Sequence, residues 1–149
     1  DASGAPTGNA FKLALFSSNS ASLGKGTTVY TAPASANAVP TNTLEVSQSQ
    51  TDGGASNSGY TAGGAALTAS ADPVLSGDTA CVKFNDVSFT SATFTARGCL
   101  LYNSTAVTGF TTNRSVFSIN FGADKTVTSG TFTVQFPAQT AGNAIVQIA

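Results

Sequence analysis

Two segments in the second half of the chain alternate apolar and polar side chains, and this alternation limits the possible folds more than any other feature. Residues 116–121 (VFSINF) carry Phe117, Ile119 and Phe121 at every second position, and residues 131–136 (TFTVQF) repeat the pattern. Successive side chains of a β-strand point to opposite faces, so a period of two indicates a strand with one buried and one solvated face. The chain therefore predicts β-strands here.

The rest of the sequence predicts further strands and no helix, because no segment combines a 3.6-residue apolar period with capping residues. Residues 122–130 contain glycines, Asp124 and Lys125, so we expect them to form the loop of an antiparallel hairpin. The fold class predicted is all-β: a single antiparallel β-sandwich, Ig-like or jelly-roll-like, of about eight to ten short strands. The other strand candidates are residues 11–16, 29–31, 44–46, 80–84, 87–89, 92–102 and 144–148.

A length of 149 residues fits one domain, so residues 1–149 are expected to share one core. Residues 47–58 (SQSQTDGGASNS) have no apolar anchor and predict an exposed Ser/Gly-rich loop. An interdomain linker is the alternative, although residues 1–46 are too few to build a core. The first residue is not methionine, so we expect that methionine or a longer leader has been removed. Small polar residues predict a flexible N-terminal arm made of Asp1, Ala2, Ser3, Gly4, Ala5, Pro6, Thr7, Gly8 and Asn9.

The composition argues against enzymatic chemistry. The chain has no histidine, which is the usual general base near neutral pH and a common metal ligand. It also lacks a serine-nucleophile elbow, and Glu45 is its only glutamate, with no evident carboxylate partner. We therefore expect no catalytic residue, no cofactor and no metal. A net charge of −1 gives no reason to expect nucleic acid or a membrane as a partner.

Three local features have a structural and a functional interpretation. The pair Gly63–Gly64 could cradle an anion, but β-like residues follow it, which favours a turn or bulge. Tyr60, just before this pair, is expected to anchor packing at the start of a strand. The aspartates Asp72, Asp78, Asp86 and Asp124 show no calcium-loop order, so they are expected to cap turns.

Cys81 and Cys99 form a possible disulfide. An antiparallel pairing of residues 80–84 with residues 96–101 that brings the two cysteines together also places Lys83 opposite Arg97, which is unfavourable. Two buried free thiols are an equally good interpretation, and they suit a reducing cytosol.

Several segments, in order, resemble a family of small structural proteins of tailed bacteriophage virions. They are FKLALFSSNSASLGKGTTVYT (residues 11–31), SGYTAGGAAL (58–67), ATFTARGCLLY (92–102) and FSINFGADKTVTSGTFTVQF (117–136). The resemblance implies a virion structural protein. Residues 48–57 resemble an insertion into the family pattern.

This resemblance implies a capsid decoration (cement) protein, which would bind the outer surface of the phage head and stabilise the shell. The expected partners are the major capsid protein and further copies of the chain, with a trimer favoured; assembly would take place in the bacterial host cytoplasm. Residues 1–9 would then be a capsid-contact arm. The alternative is a tail, neck or head-fibre component that binds the host surface through residues 47–58. A secreted adhesin or carbohydrate-binding module is poorly supported, since the chain has no tryptophan and three tyrosines.

Overall fold

A computed structural model describes residues 8–17, 27–30, 45–46, 59–69, 74–106, 109, 111–144 and 146–148. Within these ranges the chain forms strands and no helix, which confirms the all-β prediction. The predicted loop at 47–58 and residues 1–7 of the predicted arm lie outside the described residues; Gly8 and Asn9 are exposed. The strands are β1 (Phe11–Phe16), β2 (Ala65–Leu67), β3 (Val74–Ser76), β4 (Thr79–Val82), β5 (Val87–Asn103), β6 (Arg114–Val134) and β7 (Val146–Ile148).

The strands form two antiparallel sheets. The larger has the order β2-β1-β5-β6, and the smaller has the order β3-β4-β7. In the larger sheet β1 lies between a short strand and a long one, with Leu13 opposite both Ala65 and Leu101. Among the described strands, β6 is therefore at one edge of this sheet.

The strands β5 and β6 are much longer than predicted, and they pair along most of their length. They contain 17 and 21 residues, so the expectation of short strands is wrong here. Residues 122–130 do not form a hairpin loop: they lie inside β6, where Thr126 pairs with Thr95 and Gly130 pairs with Ala92. Residues 87–89 and 92–102, predicted as separate strands, are both part of β5.

A bulge explains why turn-forming residues occur inside β6. The partner of Ala96 is Lys125, whereas the partner of Gly98, two residues further on, is Asn120. The extra residues of β6 are accommodated around Gly122, which has a φ of 78° and donates its N–H to Oδ1 of Asn120 at 2.8 Å. Glycine and asparagine here bend and twist a continuing strand instead of reversing the chain.

The strand β1 is buried on both faces. Leu13 and Leu15 belong to the main core, whereas Ala14 and Phe16 belong to a second cluster with Tyr30. A continuous apolar run such as FKLALF is typical of a strand covered on both sides. Each fully buried leucine of this strand contributes about 1.5–3 kcal/mol relative to an exposed one.

The main core is rich in aromatic rings. The ring of Phe94 lies 5.1 Å from that of Phe132, and the ring of Tyr60 lies 5.5 Å from that of Phe89, measured between centroids. This core contains residues of β5 and β6 together with Tyr60, which precedes β2 in the sequence. Phe132 and Val134 face this core while Thr133 is exposed, which confirms the alternation predicted for residues 131–136.

The smaller sheet contains the C-terminal strand. Residues 144–148 were predicted to form a strand, and β7 confirms it at Val146–Ile148, with Gln147 opposite Cys81 of β4. The predicted strand at 80–84 is displaced, because β4 spans Thr79–Val82 and Phe84 makes only a single bridge to Ala69.

Candidate functional site

The sole glutamate of the chain and all three tyrosines meet in one buried cluster, which we call the Glu45 cluster (Glu45, Tyr30, Tyr60, Tyr102 and Gly63). The hydroxyl of Tyr30 donates to Oε2 of Glu45 at 2.8 Å, and the hydroxyl of Tyr60 donates to Oε1 at 2.6 Å. Oε1 also accepts the N–H of Gly63 at 2.7 Å. The Glu45 side chain is 3% exposed, so its three hydrogen bonds replace those it would make with water.

Backbone contacts with β1 fix the position of Glu45. Phe16 forms an antiparallel bridge with Glu45, and the N–H of Val46 donates to the carbonyl of Leu15 at 2.9 Å. The hydroxyl of Tyr60 accepts the N–H of Leu15 at 3.0 Å while it donates to Glu45. Two chain segments distant from β1 in the sequence are thereby attached to the same edge of this strand.

The Gly63–Gly64 pair forms a tight turn that holds one end of the cluster. Both glycines have positive φ, 90° and 73°, and the N–H of Gly64 donates to the carbonyl of Thr61. A Cβ on Gly64 would overlap the carbonyl of Leu13, so this position excludes every other residue. The interpretation as a structural turn is confirmed, and the anion bound to its backbone N–H is the carboxylate of Glu45.

Tyr102 completes the cluster from β5. Its hydroxyl donates to the carbonyl of Gly63 at 2.7 Å, and its ring stacks on that of Tyr30 with centroids 4.5 Å apart and planes 9° from parallel. Tyr60 is 2% exposed and packs against two phenylalanines, which confirms its role as a packing anchor. Sequence reasoning missed the cluster itself, because its members are joined across distant segments.

Burial dominates the electrostatics of the Glu45 cluster. It raises the pKa of the Glu45 carboxyl above its ordinary value, and the three donated hydrogen bonds offset this only in part. Burial, reinforced by the Glu45 carboxylate, also raises the pKa values of Tyr30 and Tyr60 and brings the pKa of Tyr102 to about 12. The tyrosines therefore stay protonated near neutral pH and act as hydrogen-bond donors, so the arrangement stabilises the fold.

Cys81 and Cys99 are buried free thiols, so the possible disulfide is not formed in the structure. They lie in different sheets: Cys81 is opposite Val74 in the smaller sheet, and Cys99 is opposite Leu15 and Ile119 in the larger one. The pairing of residues 80–84 with residues 96–101, which the sequence made unfavourable, does not occur. Burial raises the pKa of the Cys99 thiol to about 12, which makes it a poor nucleophile at neutral pH.

The aspartates of the described segments do not come together. Oδ1 of Asp86 accepts the N–H of Phe136 at 2.9 Å. Asp124 of β6 forms an exposed ion pair with Arg97 of β5 at 3.4 Å. Within the described ranges no three histidine, cysteine or acidic residues are grouped so that they could hold a metal ion. Asp72 lies outside the described residues.

An open groove is lined by residues of β6 and by Gln135, which follows it. It has a volume of about 430 Å³. Ile119, Phe121 and Phe132 form its apolar part and are only partly buried against the main core. We call this feature the β6 groove; its lining residues are Ile119, Phe121, Lys125, Phe132, Thr133, Val134 and Gln135.

Within the described residues, the outer side of β6 is paired over only a small part of its length. Among the described residues, pairing on this side is confined to the beginning of the strand, where Arg114 bridges Val29 and the N–H of Ser115 donates to the carbonyl of Thr28. Beyond that point, β6 has a neighbouring strand only on the β5 side in the described ranges. Alternate N–H and C=O groups of an edge strand point away from its sheet and are available to another chain.

The chain matches no protein-family model, no curated protein and no solved structure. Across the described segments, the structure contains no helix with the length and apolar character needed to cross a bilayer.

Proposed function

We propose that this chain is a virion structural protein of a tailed phage, and specifically a capsid decoration (cement) protein that binds the outer surface of the head. The β6 groove carries the proposal, because its partly exposed aromatic residues favour contact with another protein. The sequence resemblance supplies the virion context. A charged fraction of 9% also means that few charges would lose water when neighbours cover the surface.

The two antiparallel sheets support the finer fold assignment. A sandwich of the Ig-like or jelly-roll-like type would pack the β2-β1-β5-β6 sheet against the β3-β4-β7 sheet. Phe84 follows β4, and its ring lies 5.6 Å from that of Phe11 in β1, which is consistent with this packing. Such a domain would present long strands and hydroxyl-bearing side chains to its surroundings.

The proposed mechanism is stabilisation by mass action. A subunit that binds the assembled shell and not its free components lowers the free energy of the shell, and many copies multiply a modest contact energy. The proposed partners are the major capsid protein and further copies of the chain, with a trimer around a local symmetry axis favoured. Residues 1–9 would act as a clamp on the capsid or on a neighbouring subunit.

Copy number in purified virions tests the proposal. A decoration protein is a major band on a denaturing gel, present in hundreds of copies, and cryo-electron microscopy of the same particles places it on the outside of the head. A location at the tail, neck or head fibre in a few copies would establish the alternative function instead. Absence from purified particles would overturn both.

The clamp has its own test, which compares the full chain with a variant lacking residues 1–9 on purified heads. The variant should fold normally but be retained less, because the contacts of the arm are lost. Retention of the full chain should depend weakly on salt, since so few charges are available for the contact. Equal retention of the two proteins would rule out the clamp, and release of the full chain at moderate salt would show a mainly ionic interface.

A further inference from the structure

We propose that the Glu45 cluster is a proton-controlled latch, in which loss of the carboxyl proton of Glu45 favours a local opening. In the open form residues 45–46 and 60–63 leave the edge of β1, while β1 keeps its pairing with β5. The latch would operate in the isolated chain, so it is independent of the proposed function. It would weaken the attachment of these two segments to the sheet as the pH rises.

The attachment of the two segments to β1 is local. On one side of β1, the strand β2 pairs with it from Phe11 to Leu13. Beyond that pairing, the N–H of Leu15 donates to the hydroxyl of Tyr60 at 3.0 Å, and the carbonyl of Leu15 accepts the N–H of Val46 at 2.9 Å. On its other side β1 pairs with β5 along all six of its residues. The two bonds of Leu15 can therefore break without unpairing β1 from either strand.

Neutral donors surround the carboxylate of Glu45. Its hydrogen bonds come from two tyrosine hydroxyls and one backbone N–H. The titratable side chains that face it come from three elements and are Tyr30, Tyr60 and Tyr102. The basic residue of β1, Lys12, lies opposite Tyr102, and none of the described basic side chains forms an ion pair with Glu45. The negative charge is therefore buried without a counter-ion in the described part of the chain, and hydration is the main gain when the cluster opens.

Proton binding favours the closed form of the cluster. Burial raises the pKa of the Glu45 carboxyl above its ordinary value of 4.5, and opening returns the carboxyl to water and to that ordinary value. The advantage of the closed form is therefore complete below about pH 4.5 and is lost as the pH rises through the closed-state pKa. Burial raises the pKa values of the three tyrosines as well, so their hydroxyls stay protonated over this range.

Hydrogen exchange of the full-length chain, labelled with nitrogen-15, measures the opening. The reporters are the amides of Leu15, Val46 and Gly63, whose hydrogen bonds would break when the latch opens. Their exchange, corrected for the intrinsic rate at each pH, should accelerate by up to about tenfold per pH unit above about pH 4.5 and level off at the closed-state pKa. Low concentrations of urea should leave it almost unchanged, because a local opening exposes little surface, whereas the slowest amides of β5 and β6 should respond to urea.

Two variants assign the pH dependence to one carboxyl group. The side chain of Glu45→Gln keeps a similar shape but cannot ionise, so the corrected exchange of the reporter amides should lose its rise with pH. Asp86→Asn is the matched control, because Asp86 also accepts a backbone N–H, that of Phe136, but lies outside the Glu45 cluster. This control should leave the pH dependence at the reporters as it is in the wild type.

A second measurement needs no variant. Glu45 is the only glutamate of the chain, so a protein made with glutamate labelled with carbon-13 at the side-chain carboxyl gives one carboxyl signal from this residue type. The titration midpoint of this signal should lie above 4.5 and should coincide with the pH at which the exchange of the reporter amides levels off.

Three results would overturn the latch. The first is a carboxyl titration midpoint at or below about 4.5, since proton binding would then not favour the closed form. The second is exchange of the reporter amides at the rate and with the urea response of the slowest amides of β5 and β6, because the opening would then be global. The third is a rise of the corrected exchange with pH in Glu45→Gln that equals that of the wild type.

Discussion

The hydroxyl of Tyr60 lies 2.6 Å from Oε1 of Glu45, although 15 residues separate them, and Tyr30, 15 residues before Glu45, reaches the other carboxylate oxygen. The buried side chain of Glu45 thus holds Tyr30 and Tyr60 close to each other, and the backbone of Glu45 pairs with Phe16 of β1. Buried polar networks of this kind are costly when incomplete and restrict the fold to one arrangement when every donor is used.

Replacement of Glu45 by glutamine should change how stability depends on pH. Burial places the pKa of Glu45 in the folded chain above its ordinary value of 4.5. The folded state therefore binds this proton more tightly than the unfolded state, and the contribution of Glu45 to stability is lost as the pH rises from about 4.5 through the folded pKa. The glutamine of Glu45→Gln cannot ionise. The free energy of unfolding of this variant should therefore increase relative to that of the wild type as the pH rises through this interval.

Urea unfolding of both proteins from about pH 4 to about pH 8 measures this difference, and the aspartates cancel because both chains contain them. Glu45→Ala is the companion variant: it removes the carboxylate that accepts from Tyr60 and Gly63 and should cost about 2–4 kcal/mol near pH 4, a loss that becomes smaller as the pH rises through the folded pKa of Glu45. A constant difference between Glu45→Gln and the wild type across the pH series would contradict the assignment.

Replacement of Gly64 by alanine should be far more damaging than the same change at Gly77. Both glycines have positive φ, 73° and 64°, so both substitutions carry the backbone strain of about 1 kcal/mol. A Cβ at Gly64 would also overlap the carbonyl of Leu13, whereas one at Gly77 meets nothing within 4 Å. Thermal unfolding should therefore show a small loss for Gly77→Ala and a loss of at least about 3 kcal/mol, or no folding, for Gly64→Ala. Similar losses would show that the turn can shift away from β1.

Both cysteines should be present as unreactive thiols in the native protein. Cys81 and Cys99 have essentially no exposed surface, and the pKa of Cys99 is raised to about 12 by burial. An aromatic disulfide reagent at mildly alkaline pH should react slowly with the folded chain and rapidly with two thiols after unfolding in guanidinium. A mass lower by two hydrogens in the untreated protein, or fast labelling of the native chain, would contradict the free, buried state.

Local sequence patterns predicted much of the strand content, whereas the lengths of the strands could not be read from them. The period of two at residues 131–136 identified the core face of β6 correctly, since Phe132 and Val134 face the main core. Gly122 and Asp124 predicted a hairpin loop, because the same residue types form both turns and bulges. The choice between the two depends on whether Lys125–Val127 finds partners in β5, which is a tertiary property.

The Glu45 cluster was less predictable for the same reason. A single glutamate in a chain with so few charges is a weak hint that the residue has a defined partner, but nothing local indicates three tyrosines. Tyr102 reaches the cluster only through the pairing of β5 with β1, in which Tyr102 is opposite Lys12. Contacts that depend on sheet register become visible once the strand order is known.

Deletion of residues 144–149 should abolish soluble folding. The deletion removes β7, which pairs with β4 through Val146, Gln147 and Ile148, and it removes the buried Ala144. Without β7, β4 would keep only its pairing with the three-residue β3, and a two-stranded ribbon of this length is marginal in water. Deletion of residues 1–6 takes away the same number of residues from the predicted arm and serves as the control, for which we expect a nearly unchanged melting temperature. Circular dichroism and thermal unfolding of the two truncated chains would make the comparison, and a C-terminal truncation that melts like the full chain would show that the smaller sheet does not need its third strand.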